Sequence, residues 1–160
     1  MAISIGEKLP SVDLQIMGDG GPRNVNTSDL FGGKRVVLFA LPGAFTPTCS
    51  AAHLPGFVVQ ADAIKGKGVD SIICLSVNDA FVMSAWGHDQ NVEDRIVMAA
   101  DGNGDFTRMI GLEMDGRAVG MGMRSQRYAM IVEDGVVTSL NIDKPKTFES
   151  SSAEAILKLL

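Results

Sequence analysis

The chain has 160 residues, of which 46% are hydrophobic and 21% charged, and a formal net charge of -5 at pH 7. This composition is typical of a soluble globular protein, and the length predicts a single domain over residues 1–160. The negative charge, with no run of basic residues, argues against nucleic acid or an anionic membrane as a partner.

Three features of the sequence bear on the compartment. The two cysteines are too few for a disulfide framework, which favours a reducing environment. Residues 1–7 lack the basic segment and apolar core of a signal peptide. No apolar run approaches the roughly 20 residues needed to span a bilayer. We therefore expect a cytoplasmic protein.

Strands and helices are predicted to alternate along the chain. A turn at 18–22 and a helical turn at 28–31 belong to a region of short elements. Short β-branched and apolar runs predict strands at 35–41, 69–77, 96–99, 127–132 and 136–140, the last two joined by a hairpin at 133–135. Helices are predicted over 46–65, 80–86, 106–110 and 152–160. This order favours an α/β fold with a central mixed sheet flanked by helices.

The stretch between the strand at 35–41 and the helix that follows it contains a cysteine. Leu41–Ser50 carries prolines, a glycine and threonines, which are residue types of turns and helix caps. Thr46 is suited to be the N-cap and Pro47 the first helical residue, which places Cys49 in the first helical turn. Unpaired backbone N–H groups and the helix dipole favour an anion there, so Cys49 is expected to react as a thiolate.

Pro42, Thr46 and Cys49 match a Pro-x-x-x-Thr-x-x-Cys signature, and on these residues the chain resembles the peroxiredoxins, thiol peroxidases with an elaborated thioredoxin fold. The continuation through 53–57 is similar to the type II, or peroxiredoxin-five, class in particular, as are the segments 74–81, 86–87 and 124–128. The resemblance implies a thioredoxin-like α/β fold with an N-terminal extension. It also implies reduction of hydrogen peroxide and organic hydroperoxides without a cofactor or a metal.

The resemblance also implies a role for each matching residue. Cys49 is the nucleophile that becomes a sulfenic acid, Thr46 orients the peroxide, and Pro42 shields the oxidised sulfur. Arg127 stabilises the thiolate and the developing negative charge, with Arg124 as the second choice for this position. A guanidinium suits that role because it is always charged and presents several donors in one plane.

Three alternatives remain open at the level of the sequence. Cys74 lies in a predicted interior strand, where a thiol is more often inert than active, but it is the only other cysteine. His53 follows Cys49 by one helical turn, so a Cys–His thiol hydrolase is conceivable. The chain could also be a redox-sensing binding protein in which oxidation of Cys49 alters a partner interface.

Partners are predicted from the resemblance as well. Residues 145–153 correspond to the region in which some members of the family carry a resolving cysteine, and here they contain serines and no cysteine. We therefore expect an external thiol to reduce the Cys49 sulfenic acid, either glutathione with glutaredoxin or thioredoxin. A homodimer that pairs through the face around the active-site loop is implied too. Phe45, Phe81 and Trp86 are candidate contacts there, and core packing is the alternative for all three.

Overall fold

The computed structural model describes all residues 1–160. It contains nine strands: β1 (Asp13–Gly18), β2 (Gly21–Asn26), β3 (Arg35–Ala40), β4 (Ser71–Ser76), β5 (Val97–Ala100), β6 (Glu113–Asp115), β7 (Met123–Ser125), β8 (Tyr128–Glu133) and β9 (Val136–Ile142). Five α-helices accompany them: α1 (Thr27–Phe31), α2 (Leu54–Lys65), α3 (Ala80–Asp89), α4 (Asp105–Met109) and α5 (Ala153–Leu157). A π-helical turn spans Cys49–His53, and a short 3-10 turn spans Arg117–Val119.

Seven of the strands form one mixed sheet, in the order β2-β1-β5-β4-β3-β8-β9. The central strands β3, β4 and β5 are parallel to one another, whereas β1, β2, β8 and β9 pair antiparallel with their neighbours. Strands β6 and β7 form a separate antiparallel pair. The predicted α/β fold with a central mixed sheet flanked by helices is confirmed.

Both faces of the sheet are covered, and β3 contributes to the apolar cluster on each. Val37 and Phe39 pack into the cluster that contains Cys49 and the buried sides of α2, α3 and α5. Val36 and Leu38 pack into the opposite cluster, together with residues of α1 and α4. Successive side chains of a strand point to opposite faces, so a strand covered on both sides must be apolar at nearly every position. This is why β3 is recognisable in the sequence as a continuous apolar run.

The sequence patterns predict neither the β1–β2 hairpin nor the β6–β7 pair. β2 is an edge strand that contains Pro22 and several polar residues, a composition that sheet edges tolerate and central strands do not. β6 and β7 have three residues each, too few to show a periodicity. The predicted final helix begins as expected, with the Ser152 side chain capping the amide of Ala155, but it ends at Leu157.

The chain is arranged so that the predicted cysteine loop follows β3, at the carboxyl ends of the parallel strands β3 and β4. This is the edge at which open α/β sheets generally place their sites. β8, which neighbours β3, brings the residues that precede it to the same edge. None of the helices is both long and apolar enough to cross a bilayer.

Candidate active site

Cys49 opens a π-helical turn instead of a regular α-helical one. The helical conformation begins at Pro47, and over Cys49–His53 the turn widens so that the amide of Leu54 donates to the carbonyl of Cys49, five residues earlier. Single π-turns inside helices are frequent at functional sites. Cys49 is fully buried at this point, below the loop that leads out of β3. The predicted placement near a helix N-terminus therefore holds, but the local geometry differs from the expected first α-helical turn.

Thr46 occupies the predicted N-cap position and Pro47 is the first helical residue, but the Thr46 side chain does not bond to the helix. Its hydroxyl donates to the carbonyl of Gly43, with 2.7 Å between the two oxygens. Its backbone carbonyl accepts from the amide of Ser50 at 2.9 Å and thus belongs to the helix. The compact loop explains the difference, because residues 43–46 fold back on themselves and draw the hydroxyl towards Gly43.

Arg127 is the arginine that reaches the thiol. Its Nη2 lies 3.1 Å from Sγ of Cys49, a distance at which the guanidinium donates to the sulfur. The backbone carbonyl of Arg127 accepts from the amide of Asp143 at 2.9 Å, which fixes the entry to β8. Arg124 lies nearby on β7 and supports the loop instead, since its guanidinium donates to the carbonyls of Met121 and Pro42.

A cleft of about 360 Å³ opens beside these residues. Its lining includes Pro42, Thr48 and Arg127 together with residues 143–148. Pro42 is half-buried, whereas Cys49 is fully buried. The cleft thus joins solvent to the surroundings of the thiol, and its walls carry the predicted proline and arginine. No group of three or more His, Cys, Asp or Glu side chains is placed to hold a metal ion.

His53, which the sequence suggested only as the partner of Cys49 in a thiol hydrolase, contacts Arg127 instead. It is fully buried, and its Nδ1 lies 2.8 Å from Nη1 of Arg127 while its Nε2 lies 3.0 Å from the carbonyl oxygen of Ser151. Burial and the positive charge of Arg127 lower the pKa of His53 to about 3, against the opposing effects of Ser151 and Asp143. Both ring nitrogens already have partners other than Cys49, so the geometry does not support the Cys–His hydrolase.

The serines in the segment 145–153 have a structural role. Asp143 Oδ1 accepts from the amide and the hydroxyl of Ser150, and Oδ2 accepts from the amide and the hydroxyl of Ser151. Burial opposes ionisation of Asp143, but the hydrogen bonds from Ser151 and Ser150 outweigh it and lower the pKa of this carboxyl below its usual value. Asp143 thereby holds Ser151 in place to accept from His53.

Cys74 lies in the interior of β4 and is fully buried in the same apolar cluster as Cys49. Burial raises its pKa well above the usual value, and the neighbouring Cys49 adds to this effect. A thiol held in its neutral form and sealed from solvent is a poor nucleophile. The burial and the raised pKa of Cys74 agree with the expectation of an inert thiol.

The three aromatic residues considered for an interface fall into two groups. Phe45 and Phe81 are exposed, at 53% and 66% of their surface. Trp86 is fully buried, and its indole N–H donates to Oγ of Ser50 at 3.0 Å. The interface prediction is therefore wrong for Trp86, which lies on α3 and packs in the core, with its N–H bonded to Ser50 of the π-helical turn.

Comparison with known proteins agrees with this geometry. The model of the Redoxin family matches residues 4–157. The chain is 49% identical to peroxiredoxin-2E, chloroplastic, of Arabidopsis thaliana, over 99% of this chain and 70% of that protein. It is 47% identical to peroxiredoxin-2E-2, chloroplastic, of Oryza sativa subsp. japonica, over 99% and 72% respectively. The crystal structure of reduced Prx3 from Vibrio vulnificus in complex with H2O2 superposes with a TM-score of 0.95 at 56% identity, over 98% of both chains. The predicted thioredoxin-like fold is confirmed.

The predicted cytoplasmic location is contradicted by these relatives, since both plant proteins are chloroplastic. The prediction relied on the low cysteine content and on the composition of the N-terminal residues. A low cysteine content reflects a reducing environment, which is not specific to one compartment. Cysteine content and N-terminal composition therefore do not identify the compartment of this protein.

Proposed function

Because the chain belongs to the Redoxin family as a type II peroxiredoxin, and is thus a thiol peroxidase, we propose that Cys49 is the nucleophile that reduces the peroxide. The observation that carries this assignment is the 3.1 Å contact between Nη2 of Arg127 and Sγ of Cys49. A guanidinium at this distance donates to the sulfur and offers further donors to an oxygen next to it. The redox-sensing alternative is not favoured by these relatives.

The reaction transfers one oxygen atom to Cys49. The thiolate forms a bond to one peroxide oxygen while the O–O bond breaks, and the second oxygen takes a proton and leaves as water or an alcohol. Cys49 is oxidised by one electron pair to a sulfenic acid, and the peroxide is reduced by the same pair. Negative charge spreads from sulfur to the leaving oxygen in the transition state, which is where the donors of Arg127 contribute most.

Thr46 is proposed to orient the peroxide as an acceptor. Its hydroxyl proton is used in the hydrogen bond to the carbonyl of Gly43, so the lone pairs of Oγ1 remain to accept from the O–H of a peroxide. Pro42, at the wall of the cleft above the buried thiol, is proposed to limit the access of water to the sulfenic acid. The matching of Pro42, Thr46 and Cys49 to the family signature supports these roles.

We propose that an external thiol returns Cys49 to its reduced form, with glutathione and glutaredoxin as the first candidate and thioredoxin as the second. A thiol attacks the sulfenic acid and releases water, and a second thiol resolves the resulting mixed disulfide. The burial of Cys74 and the absence of any third cysteine support an external donor. The electrons of the cycle thus come from thiols, without a bound cofactor.

The assembly we propose is a homodimer of single-domain chains that pair through the face around the active-site loop. Phe45 and Phe81 are exposed, and both precede the buried Trp86 in the chain, Phe81 within the same helix α3. Phe45 also adopts a backbone φ of 64°, unusual for a residue with a side chain, and it contacts Trp86 with ring centroids 6.4 Å apart. An exposed aromatic residue held in a fixed position is typical of protein interfaces.

The experiment that tests the proposed function compares the wild-type protein with Cys49→Ser. Consumption of hydrogen peroxide is followed with glutathione and glutaredoxin, and separately with thioredoxin. We expect turnover only in the wild-type protein, together with a trapped sulfenic acid at Cys49 by mass spectrometry. A Cys49→Ser protein that consumes peroxide at the wild-type rate would exclude Cys49 as the nucleophile.

A further inference from the structure

We propose that His53 is a positioning residue whose neutral imidazole orients Arg127 towards Cys49 without cancelling the charge of the guanidinium. The proposal rests on the proposed function, because it assumes that Arg127 assists the oxidation of Cys49. It adds to the signature residues a further residue that holds the arginine in place. The arginine must be held by a partner that accepts a hydrogen bond and carries no negative charge.

The geometry determines which nitrogen of His53 carries the proton. Arg127 can only donate, so Nδ1 at 2.8 Å from its Nη1 must be the acceptor. The carbonyl of Ser151 can only accept, so Nε2 at 3.0 Å must be the donor. The two partners together require the neutral Nε2–H tautomer, in which each nitrogen is satisfied.

The surroundings keep the ring neutral. Three phenylalanine rings lie around it, those of Phe39, Phe57 and Phe148, with centroid distances of 5.0, 5.7 and 5.0 Å. Burial and the adjacent positive charge of Arg127 lower the pKa of His53 to about 3, and they outweigh the hydrogen bond to Ser151 and the negative charge of Asp143, which act to raise it. The imidazole therefore remains an acceptor for Arg127 at neutral pH.

A neutral acceptor has a specific advantage at this position. A carboxylate at hydrogen-bond distance would also hold the guanidinium, but its negative charge would compete with the Cys49 thiolate for the positive charge of Arg127. The imidazole fixes one arm of the guanidinium, Nη1, and leaves the full charge and the Nη2 arm for the sulfur. One guanidinium thus bridges the first and last residues of the π-turn Cys49–His53.

The other side of His53 connects Arg127 to the loop across the cleft. Ser151, which accepts from Nε2, is itself held by the carboxylate of Asp143. Phe148 packs against the ring of His53 and lies 5.8 Å from the guanidinium carbon of Arg127. His53 therefore contacts both Arg127 and the loop that lines the cleft, and positions the two relative to each other.

Two substitutions separate the two hydrogen bonds of the ring. Asparagine is short and places an oxygen near the position of Nδ1, so His53→Asn keeps an acceptor for Arg127. Glutamine is longer and places its amide near the position of Nε2, so His53→Gln keeps a donor to Ser151 and loses the acceptor. Both variants remove the same aromatic ring, which makes them matched controls for the loss of packing.

The measurement is the second-order rate constant of Cys49 with hydrogen peroxide and, in parallel, with iodoacetamide. Peroxide needs an oriented Arg127 in the transition state, whereas alkylation needs only an accessible thiolate. We expect His53→Gln to lose about tenfold or more in the peroxide rate and only about twofold to threefold in the alkylation rate, and His53→Asn to lose clearly less peroxide rate than His53→Gln. Equal losses with both reagents, or no loss with peroxide, would overturn the proposal.

A third variant, His53→Asp, tests the requirement for a neutral acceptor. We expect its peroxide rate to fall below that of His53→Asn. A rate equal to that of His53→Asn would overturn this part of the proposal. Thermal unfolding is measured first, and the rates are compared at a temperature at which all three variants are folded. Cys49→Ser, assayed beside them, reports failure of the proposed function separately.

Discussion

At the scale of single residues, hydrogen bonds within the candidate site determine which donors and acceptors remain available. Thr46 donates to Gly43, so the lone pairs of its Oγ1 remain to accept. Arg127 gives one arm to His53 and the other to Cys49. Donors and acceptors that are held in place before the reaction can stabilise a transition state without a rearrangement of the protein.

The role of Thr46 is tested by Thr46→Val and by Thr46→Ser, which keeps the hydroxyl. We expect the valine variant to react with hydrogen peroxide about tenfold or more slowly, because the substrate loses an acceptor, and to lose about 1 kcal/mol of stability. The serine variant should retain most of the rate. Stopped-flow oxidation of Cys49 measures both, and a valine variant at the wild-type rate would remove Thr46 from the site.

The buried His53 predicts a pH dependence of stability. The unfolded chain binds a proton at this histidine below pH 6.5, whereas the folded chain does so only near pH 3, because burial and Arg127 lower the pKa. Between these values the unfolded state binds more protons, so stability is lost as the pH falls. We expect the free energy of unfolding to decrease by about 2 kcal/mol from pH 7 to pH 5 on account of this group.

Urea unfolding of His53→Gln and His88→Gln at both pH values measures the effect. His88 is exposed and provides the same substitution without the burial. The decrease should be absent in His53→Gln and present in His88→Gln. If the two variants show the same pH dependence, then His53 is not the group responsible.

At the scale of elements, the sequence predicts the parts that obey a simple local rule. β3 and β4 are continuous apolar runs, the Asp79 side chain caps α3 by accepting from the amide of Val82, and the turn before β9 has left-handed residues at Asp134 and Gly135. Each of these follows from burial on both faces, from capping or from turn chemistry.

The elements that the sequence does not predict depend on contacts with distant parts of the chain. The π-turn at Cys49–His53 is bridged by Arg127, which lies 74 residues after His53. The position of His53 four residues after Cys49 is visible in the sequence, but its two partners come from the residue that precedes β8 and from the loop before α5. Pro42, Thr46 and Cys49 could thus be found from the sequence, whereas the contact of His53 with Arg127 could not.

The place of Cys74 inside β4 predicts that it takes no part in turnover. Cys74→Ser is expected to retain the steady-state peroxidase rate with glutathione and glutaredoxin or with thioredoxin, because burial raises the pKa of the Cys74 thiol and, unlike Cys49, it has no guanidinium beside it. The variant should lose about 1 to 3 kcal/mol of stability, because a hydroxyl is placed among apolar side chains. Loss of activity with every reductant, in a protein that still folds, would show that Cys74 resolves the sulfenic acid.

At the scale of the whole molecule, exposed aromatic residues predict the homodimer. Phe81→Glu places a charge in the proposed contact and should shift the protein from dimer to monomer. Met109→Glu is the matched control, because Met109 is also exposed but lies on α4, which packs on the opposite face of the sheet from α3. Sedimentation velocity measures both. A monomeric wild-type protein, or equal effects of the two variants, would contradict the proposed interface.

We propose that Arg127, held by His53, activates Cys49 towards peroxide. The most direct measurement is the rate constant of Cys49 oxidation by hydrogen peroxide in Arg127→Gln and Arg124→Gln, from quenched-flow samples analysed by mass spectrometry. Both arginines donate hydrogen bonds near the cysteine loop, but only Arg127 contacts the sulfur. We predict a loss of about 100-fold or more for Arg127→Gln and a much smaller loss for Arg124→Gln. A wild-type rate in Arg127→Gln, or a larger loss in Arg124→Gln, would contradict the account.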